Sequence, residues 1–473
     1  MAGALGGARG LTARAAIIAA VDARAGVDAG RVADLWRREL ARYEQEHPRC
    51  LALRARARLH QPHGVPMSWM AGYFAHPPVW VDEGHGAHFT CADGRRFLDT
   101  NIGDKSTFCG IDPAPVVRAV QARVAAGSQF MLPTEDAIAV AEELAGRWPL
   151  PGWQFTLSAS QACNEALRLA RHATGRRKVL SFVGNYGGHG DELLVAYSSH
   201  REMSYLGLAP SAGRDVDVVE FNDADGLARA LDRREYACVL TEPALTNCGV
   251  VLPDPGFHES LRRLTAEAGT LLVLDETHTL ICGPAGLTGR WDLRPDIVVV
   301  GKGLGGGLPF GAYGMTEELM AAFERRVSAA GDAGELATGG TLFANALSMA
   351  AARAALTEVL TGGAYERAAA LGALLANGLE AIVGAAGLPW KVQRLYPRSG
   401  VSLSGRLARS AGEADADEQP ELNALLRLGL ANRGVWEAIS TAGPALSVAA
   451  DEDDVAAYLH AFAEITAELV ARA

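Results

Sequence analysis

Five short apolar runs, each separated from the next by helix-like sequence, constrain this chain more than any other feature. They are WQFTL (153–157), KVLSFV (178–183), ACVLTE (237–242), TLLVLDE (270–276) and DIVVVGK (296–302). A strand with one wet face alternates polar and apolar residues. Apart from WQFTL, these runs do not, so both of their faces are expected to be buried. Such strands joined by helical crossovers build a mostly parallel α/β sheet, expected across 110–360.

The flanks read differently. Residues 1–60 read as a helical arm, with Arg and Glu on a solvated face and Trp36, Leu40 and Tyr43 at helical spacing. After the Pro- and Gly-rich QPHGVP (61–66), the stretch 78–99 reads as strands around turn signals at Gly84, Gly86 and Asp93-Gly94. This segment, within 61–109, is expected to join 361–473 in a smaller α+β domain. That C-terminal part carries Ala/Leu-rich helices, strands near KVQRLYP and GVSLSG, and a closing amphipathic helix. The acidic AGEADADEQPE (411–421) reads as a surface loop.

Composition excludes several classes. With 49% hydrophobic and 21% charged residues the chain is globular rather than disordered. A net charge of -11 argues against a grip on nucleic acid phosphates or anionic lipid. The 7 cysteines stand singly with no CxxC pair, which suits neither a disulfide scaffold nor a zinc module. The N-terminal AAIIAAV is short and is followed by Asp22 and Arg24, unlike a signal peptide. No run reaches the ~18 apolar residues of a membrane span. A cytoplasmic protein with no membrane or nucleic acid partner is expected.

In open α/β sheets ligands bind beyond the carboxyl ends of the strands, so the polar residues there carry the functional reading. Lys302 ends the run DIVVVGK and opens KGLGGGLPFGA. Lys and Arg total 44, yet the only lysines are Lys105, Lys178, Lys302 and Lys391. A lysine at a buried strand end, in a chain that otherwise uses arginine, points to a task arginine cannot do: losing a proton and forming an imine. The alternatives are a plain Gly-rich turn or a nucleotide loop, but a Walker loop places its glycines before the lysine. Asp275 ends LLVLD, where a buried carboxylate needs a cationic partner such as a protonated pyridine nitrogen. SASQ (158–161) follows a strand and opens a helix, where backbone N–H groups cradle phosphate, unless Ser158 or Ser160 serves only as an N-cap. Amine, ring-nitrogen acceptor and phosphate cradle together select pyridoxal phosphate.

The chain resembles the class III aminotransferases, nearest in pattern to the glutamate-1-semialdehyde aminomutase branch. The stretches that carry the likeness are LRLARHATGRRKV (167–179), FVGNYGGHGDE (182–192), residues 241–277, GKGLGGGLPFGAYG (301–314) and GGTLFANALSMAAA (339–352). The resemblance implies the pyridoxal-phosphate-dependent transferase fold type I: a large α/β domain with a mostly parallel, seven-stranded-type sheet, plus a smaller α+β domain. It implies that Lys302 is the Schiff-base lysine and Asp275 the partner of the ring nitrogen. Ala159 and Ser160 match the phosphate-binding turn, and Tyr186 the aromatic stacked on the ring. Glu242 and Asn247 match an EPxxxN pattern in which the Asn faces the phenolic oxygen. Thr277 takes the place of a Val packed on the ring face. Thr341 matches a phosphate ligand that reaches across from a neighbouring subunit, which implies a homodimer with shared active sites. LSASQA stands for the family's NSG(S/T)EA, Tyr186-Gly187-Gly188-His189 for YHGH, and Asn345-Ala346 for NP. Thr277 and the His278 that follows it are candidates to contact substrate, against a supporting structural position, and Arg398 is one candidate among many for a substrate carboxylate, against a plain surface position.

The activity expected from this reading is transfer of an amino group from an amino acid or amine to a keto acid, ketone or aldehyde. The alternative is an aminomutase, racemase or epimerase acting on one molecule. A third possibility, a binding protein that has lost catalysis, sits poorly with retention of both Lys302 and Asp275.

Overall fold

The computed structural model describes residues 23–72, 76–197, 206–330, 336–437 and 442–471. The first residues of the expected N-terminal arm lie outside them. The chain divides into two compact units, one of Met1–Asp104, Ala370–Leu407 and Asp417–Ala473, the other of Lys105–Ala369 and Ala408–Ala416.

In the first unit the helix Ala29–Glu46 is followed by a second helix, Pro48–Ala57. The helical arm expected here is thus two helices, divided because Pro48 has no N–H to donate and suits a first helical turn. Strands β1 (Val81–His85), β2 (His88–Cys91) and β3 (Arg96–Asp99) form an antiparallel meander. Gly86 and Gly94 make its turns at φ of +58° and +77°, which glycine alone adopts without strain. Gly84 lies inside β1 rather than in a turn.

The second unit holds β4 (Gly152–Thr156), β5 (Lys178–Phe182), β6 (Val216–Val219), β7 (Tyr236–Thr241), β8 (Leu271–Asp275), β9 (Ile297–Gly301) and β10 (Gly311–Met315). They form one 7-stranded sheet in the order β4-β10-β9-β8-β7-β5-β6. Only β10 runs antiparallel to its neighbours, β4 and β9. All five apolar runs became strands. The sequence did not announce β6 and β10. VDVV is a four-residue edge, and GAYGM reads as more of the Gly-rich loop before it. Both faces of the sheet are covered. On one, Leu167 and Ala170 of the helix Ala159–Thr174 belong to a core with Val273, Val299 and Tyr313. On the other, Val239 and Leu274 meet Phe182, Phe221 and Phe257. Each such side chain contributes roughly 1.5–3 kcal/mol by leaving water.

Strands β11 (Lys391–Leu395) and β12 (Arg398–Ser402) pair as a hairpin in the first unit, and β13 (Val435–Trp436) lies parallel to β3. Two expectations need correction. The 411–421 stretch is not a plain surface loop: Ala411–Ala416 is helical, and Ala411, Asp417 and Gln419 are buried. Arg409, just before it, pairs with Asp254, which ties 408–416 to the sheet unit. The helix Gly362–Ala385 does contain an 18-residue window apolar enough by composition to cross a membrane. Tyr365, Leu375, Leu379 and Val383 on it are buried in the protein, and Glu366 and Glu380 form ion pairs, as in a core helix.

Candidate active site

Parallel strands deliver their carboxyl ends to one edge of the sheet, and the chemistry-bearing residues of the second unit gather there. Asp275 is the last residue of β8 and Lys302 the first after β9, its neighbour. Lys302 sits at φ +47°, a left-handed conformation that costs a non-glycine residue about 1 kcal/mol or more. The turn directs its amine to His278, with Nζ 2.9 Å from Nε2.

Asp275 is buried. Its Oδ1 accepts from the Thr277 N–H at 2.9 Å and its Oδ2 from the Cys163 thiol at 3.3 Å. Burial pushes its carboxyl up, opposed by the Thr277 side chain and N–H, the Cys163 thiol and the charge of Lys302. Among the described residues no cation is close enough to form an ion pair with it.

The helix Ala159–Thr174 begins immediately after β4, capped by Ser158, whose side chain accepts from the Gln161 N–H at 3.4 Å. Ala159 and Ser160 are its first two residues, so their N–H groups have no partner within the helix. Three glycines let the chain close around this turn. A Cβ on Gly311 would lie 2.4 Å from the backbone C and O of Ser158. On Gly188 it would lie 2.3 Å from Ser160 Oγ, and on Gly301 3.1 Å from the Ala159 Cβ. Gly301 directly precedes Lys302, so the main chain at the lysine lies against the helix N-terminus.

Glu242 follows β7 and is buried. It accepts from the Tyr186 N–H at 3.3 Å, from the Thr246 N–H at 3.2 Å and from the Thr246 hydroxyl at 2.5 Å. Its own N–H donates to Asn185 Oδ1 at 2.7 Å. Burial pushes its carboxyl up to about 7, with Thr246 opposing and the negative Asp275 adding to the rise. The Asn247 amide nitrogen lies 3.4 Å from His278 Nδ1, and the Thr246 hydroxyl 2.8 Å from the same atom. The Tyr186 ring packs edge-on to Tyr197 and His189.

The structure thus brings together Lys302, Asp275, Thr277, Ala159, Ser160, Tyr186, Glu242 and Asn247. It does not bring Thr341 to Lys302: that residue is exposed, and its carbonyl accepts from Gln129. Arg398 is buried in the other unit, where its Nε donates to the Gly443 carbonyl at 3.3 Å, so the surface position weighed for it is wrong. Sequence reasoning missed Thr246 and Cys163. Thr246 lies inside the unspecified part of EPxxxN, and Cys163 inside an ordinary helix.

The sequence profile for "Aminotransferase class-III" matches residues 71–395. The chain belongs to the class III aminotransferases. It is 34% identical to the glutamate-1-semialdehyde 2,1-aminomutase of Chloroflexus aggregans, across 77% of this chain and 84% of that one. A glutamate-1-semialdehyde aminomutase of Pseudomonas aeruginosa PAO1 superposes with a TM-score of 0.89 at 37% identity, covering 94% of this chain and 100% of the other. A variant of that enzyme was solved in complex with PMP. An omega-transaminase of Sphaerobacter thermophilus reaches a TM-score of 0.82 at 29% identity, covering 89% of this chain and 97% of that one. The architecture is fold type I, and the cofactor of this class III enzyme is pyridoxal phosphate.

The donor set fits that group. A buried carboxylate with no ion pair among the described residues, a helix start whose glycines allow close approach, and a lysine amine at the neighbouring strand end match a ring nitrogen, a phosphate and an aldehyde.

Proposed function

We propose that this enzyme moves an amino group between neighbouring carbons of one small molecule, an amino aldehyde of the glutamate-1-semialdehyde kind. The observation that carries this reading is the 37% identity, spread over 94% of the chain, to an aminomutase whose whole length is covered. Transfer between two molecules, the activity first expected from the sequence, is the second reading, supported by the likeness to an omega-transaminase.

Bound at the strand ends, pyridoxal phosphate supplies an aldehyde that captures amines and a ring that accepts electrons from the substrate carbon. Lys302 Nζ would hold that aldehyde until a substrate amine displaces it. Then, as a neutral amine, it would carry the proton leaving the substrate. Asp275 would keep the ring nitrogen protonated, its carboxylate already oriented by Thr277 and Cys163. The N–H groups of Ala159 and Ser160 would take the phosphate, with Thr341 of a second subunit completing the site in a homodimer. Tyr186 and Thr277 would enclose the ring, and Glu242 and Asn247 would line its phenolic edge.

The test incubates the cofactor-loaded enzyme with an amino aldehyde and no other carbonyl compound. Full conversion to the positional isomer is the expected outcome. Turnover that requires an added keto acid or aldehyde would refute the single-substrate reading and leave transfer in its place.

A further inference from the structure

We propose that Lys302, His278, Thr246 and Glu242 form a proton relay that takes the proton from the Lys302 ammonium and stores it on Glu242. The inference rests on the reading of Lys302 as the amine that must become neutral, and it adds a route for the proton.

The contacts are continuous. Lys302 Nζ lies 2.9 Å from His278 Nε2, His278 Nδ1 lies 2.8 Å from the Thr246 hydroxyl, and that hydroxyl lies 2.5 Å from Glu242 Oε2. His278, Thr246 and Glu242 are all buried. Hydrogen accounting allows two arrangements of the same atoms. In the first, Glu242 is ionised and accepts the Thr246 hydroxyl proton. The Thr246 oxygen then accepts from His278 Nδ1–H, which leaves the Nε2 lone pair facing the Lys302 ammonium. In the second, Lys302 has given one proton to Nε2 and His278 has passed its Nδ1 proton to the Thr246 oxygen. Thr246 in turn has passed its own to Glu242. Three N–H or O–H bonds break and three form. An ammonium and a carboxylate become an amine and a carboxylic acid, and His278 ends neutral with its tautomer exchanged.

The environment favours the second arrangement more than it would in water. Removing a separated pair of charges from a buried site recovers desolvation energy. Among the described residues, the charged or titratable groups that face Glu242 and its relay partners include Asp275, Lys302, Tyr186 and Cys248. The negative Asp275 and burial both disfavour a second negative charge on Glu242, whose carboxyl lies at about 7. Burial likewise pushes the Cys248 thiol up, so it remains a neutral neighbour. Thr246 and Asn247, whose Nδ2 lies 3.4 Å from His278 Nδ1, oppose the rise on Glu242, so both arrangements are within reach.

The relay is tested without turnover. In the full-length, cofactor-free chain, acetic anhydride at neutral pH acylates neutral amines, and the Lys302 peptide is quantified by mass spectrometry against exposed Lys391. Thr246→Val, which keeps the shape and removes the hydroxyl, should slow Lys302 acylation about tenfold, within the coupling range of one hydrogen-bond network. His278→Gln and Glu242→Gln should slow it similarly, and Thr246→Ser should restore the wild-type rate. Wild-type acylation in Thr246→Val and His278→Gln, or a Thr246→Ser as slow as Thr246→Val, would overturn the relay. Cofactor binding by the wild type, read from visible absorbance, tests the enzyme reading separately, so either can fail alone.

Discussion

Substituting Gly311 by alanine probes how tightly the cofactor turn is built. Gly311 lies on β10 opposite Thr156 of β4 and Gly301 of β9, between the phosphate turn and the lysine strand. A Cβ there would stand 2.4 Å from the backbone C and O of Ser158 and 2.5 Å from Thr156 Oγ1. Main-chain atoms cannot rotate away, so the strand or the turn must shift. Overpacking of this kind costs about 1–3 kcal/mol, and the backbone obstacle places Gly311→Ala near about 3 kcal/mol. At roughly 2 °C per kcal/mol for a unit of this size, the thermal midpoint should fall by about 6 °C. Displacing the Ser158–Ser160 turn should also forfeit a charge-assisted hydrogen bond to phosphate. Pyridoxal phosphate would then bind about tenfold more weakly by absorbance titration. The control is Gly146→Ala, in the helix Glu135–Arg147, where a Cβ meets nothing within 4 Å. That change should stabilise by about 0.5–1 kcal/mol. A Gly311→Ala protein with wild-type midpoint and wild-type cofactor affinity would refute the account of this turn.

Other expectations follow from single groups. Lys302→Ala should still retain pyridoxal phosphate through the remaining contacts but release it on simple dialysis, whereas the wild type should need an added amine; equal retention would contradict a covalent role. Glu242 carries a carboxyl raised from 4.5 to about 7, so its contribution to stability is fully present below pH 4.5 and is lost as pH rises through 7. The cofactor-free wild type should therefore lose about 3 kcal/mol relative to Glu242→Gln across that window. Parallel melting curves for the two proteins from acid to neutral pH would contradict it. In the first unit, largely buried Arg433 pairs with buried Glu39 at 3.4 Å, and also with Glu464 and Glu468. Glu39 keeps Arg38 at 2.8 Å and Asn432 at 2.7 Å, so Arg433→Ala should cost about 1–2 kcal/mol in denaturant unfolding, and an unchanged midpoint would contradict it.

Strands β7, β8 and β9 were legible because they are buried on both faces, and an unbroken apolar run marks such a strand. Lys302 and Asp275 were legible for a related reason: a charged residue ending such a run stands out against its neighbours. β6 and β10 were not, since a four-residue edge and a glycine-rich strand lack that contrast. Neither was the fate of 411–421, whose acidic composition hid Ala411, packed where a Cβ on Gly184 would come within 2.5 Å of its own. His278 was visible only as a residue that could contact substrate or support the site, with no partner assigned. Its closeness to Lys302 depends on β8 and β9 lying side by side, and its link to Glu242 on β7 joining them, none of which spacing along the chain encodes. Sequence by itself determined the buried strands, the cofactor and the lysine proposed to hold it, because burial and imine chemistry each restrict residue type at a single position. The tertiary structure alone decided which groups lie within hydrogen-bond reach of that lysine, because hydrogen bonds join atoms that are near in space however far apart they lie in the chain.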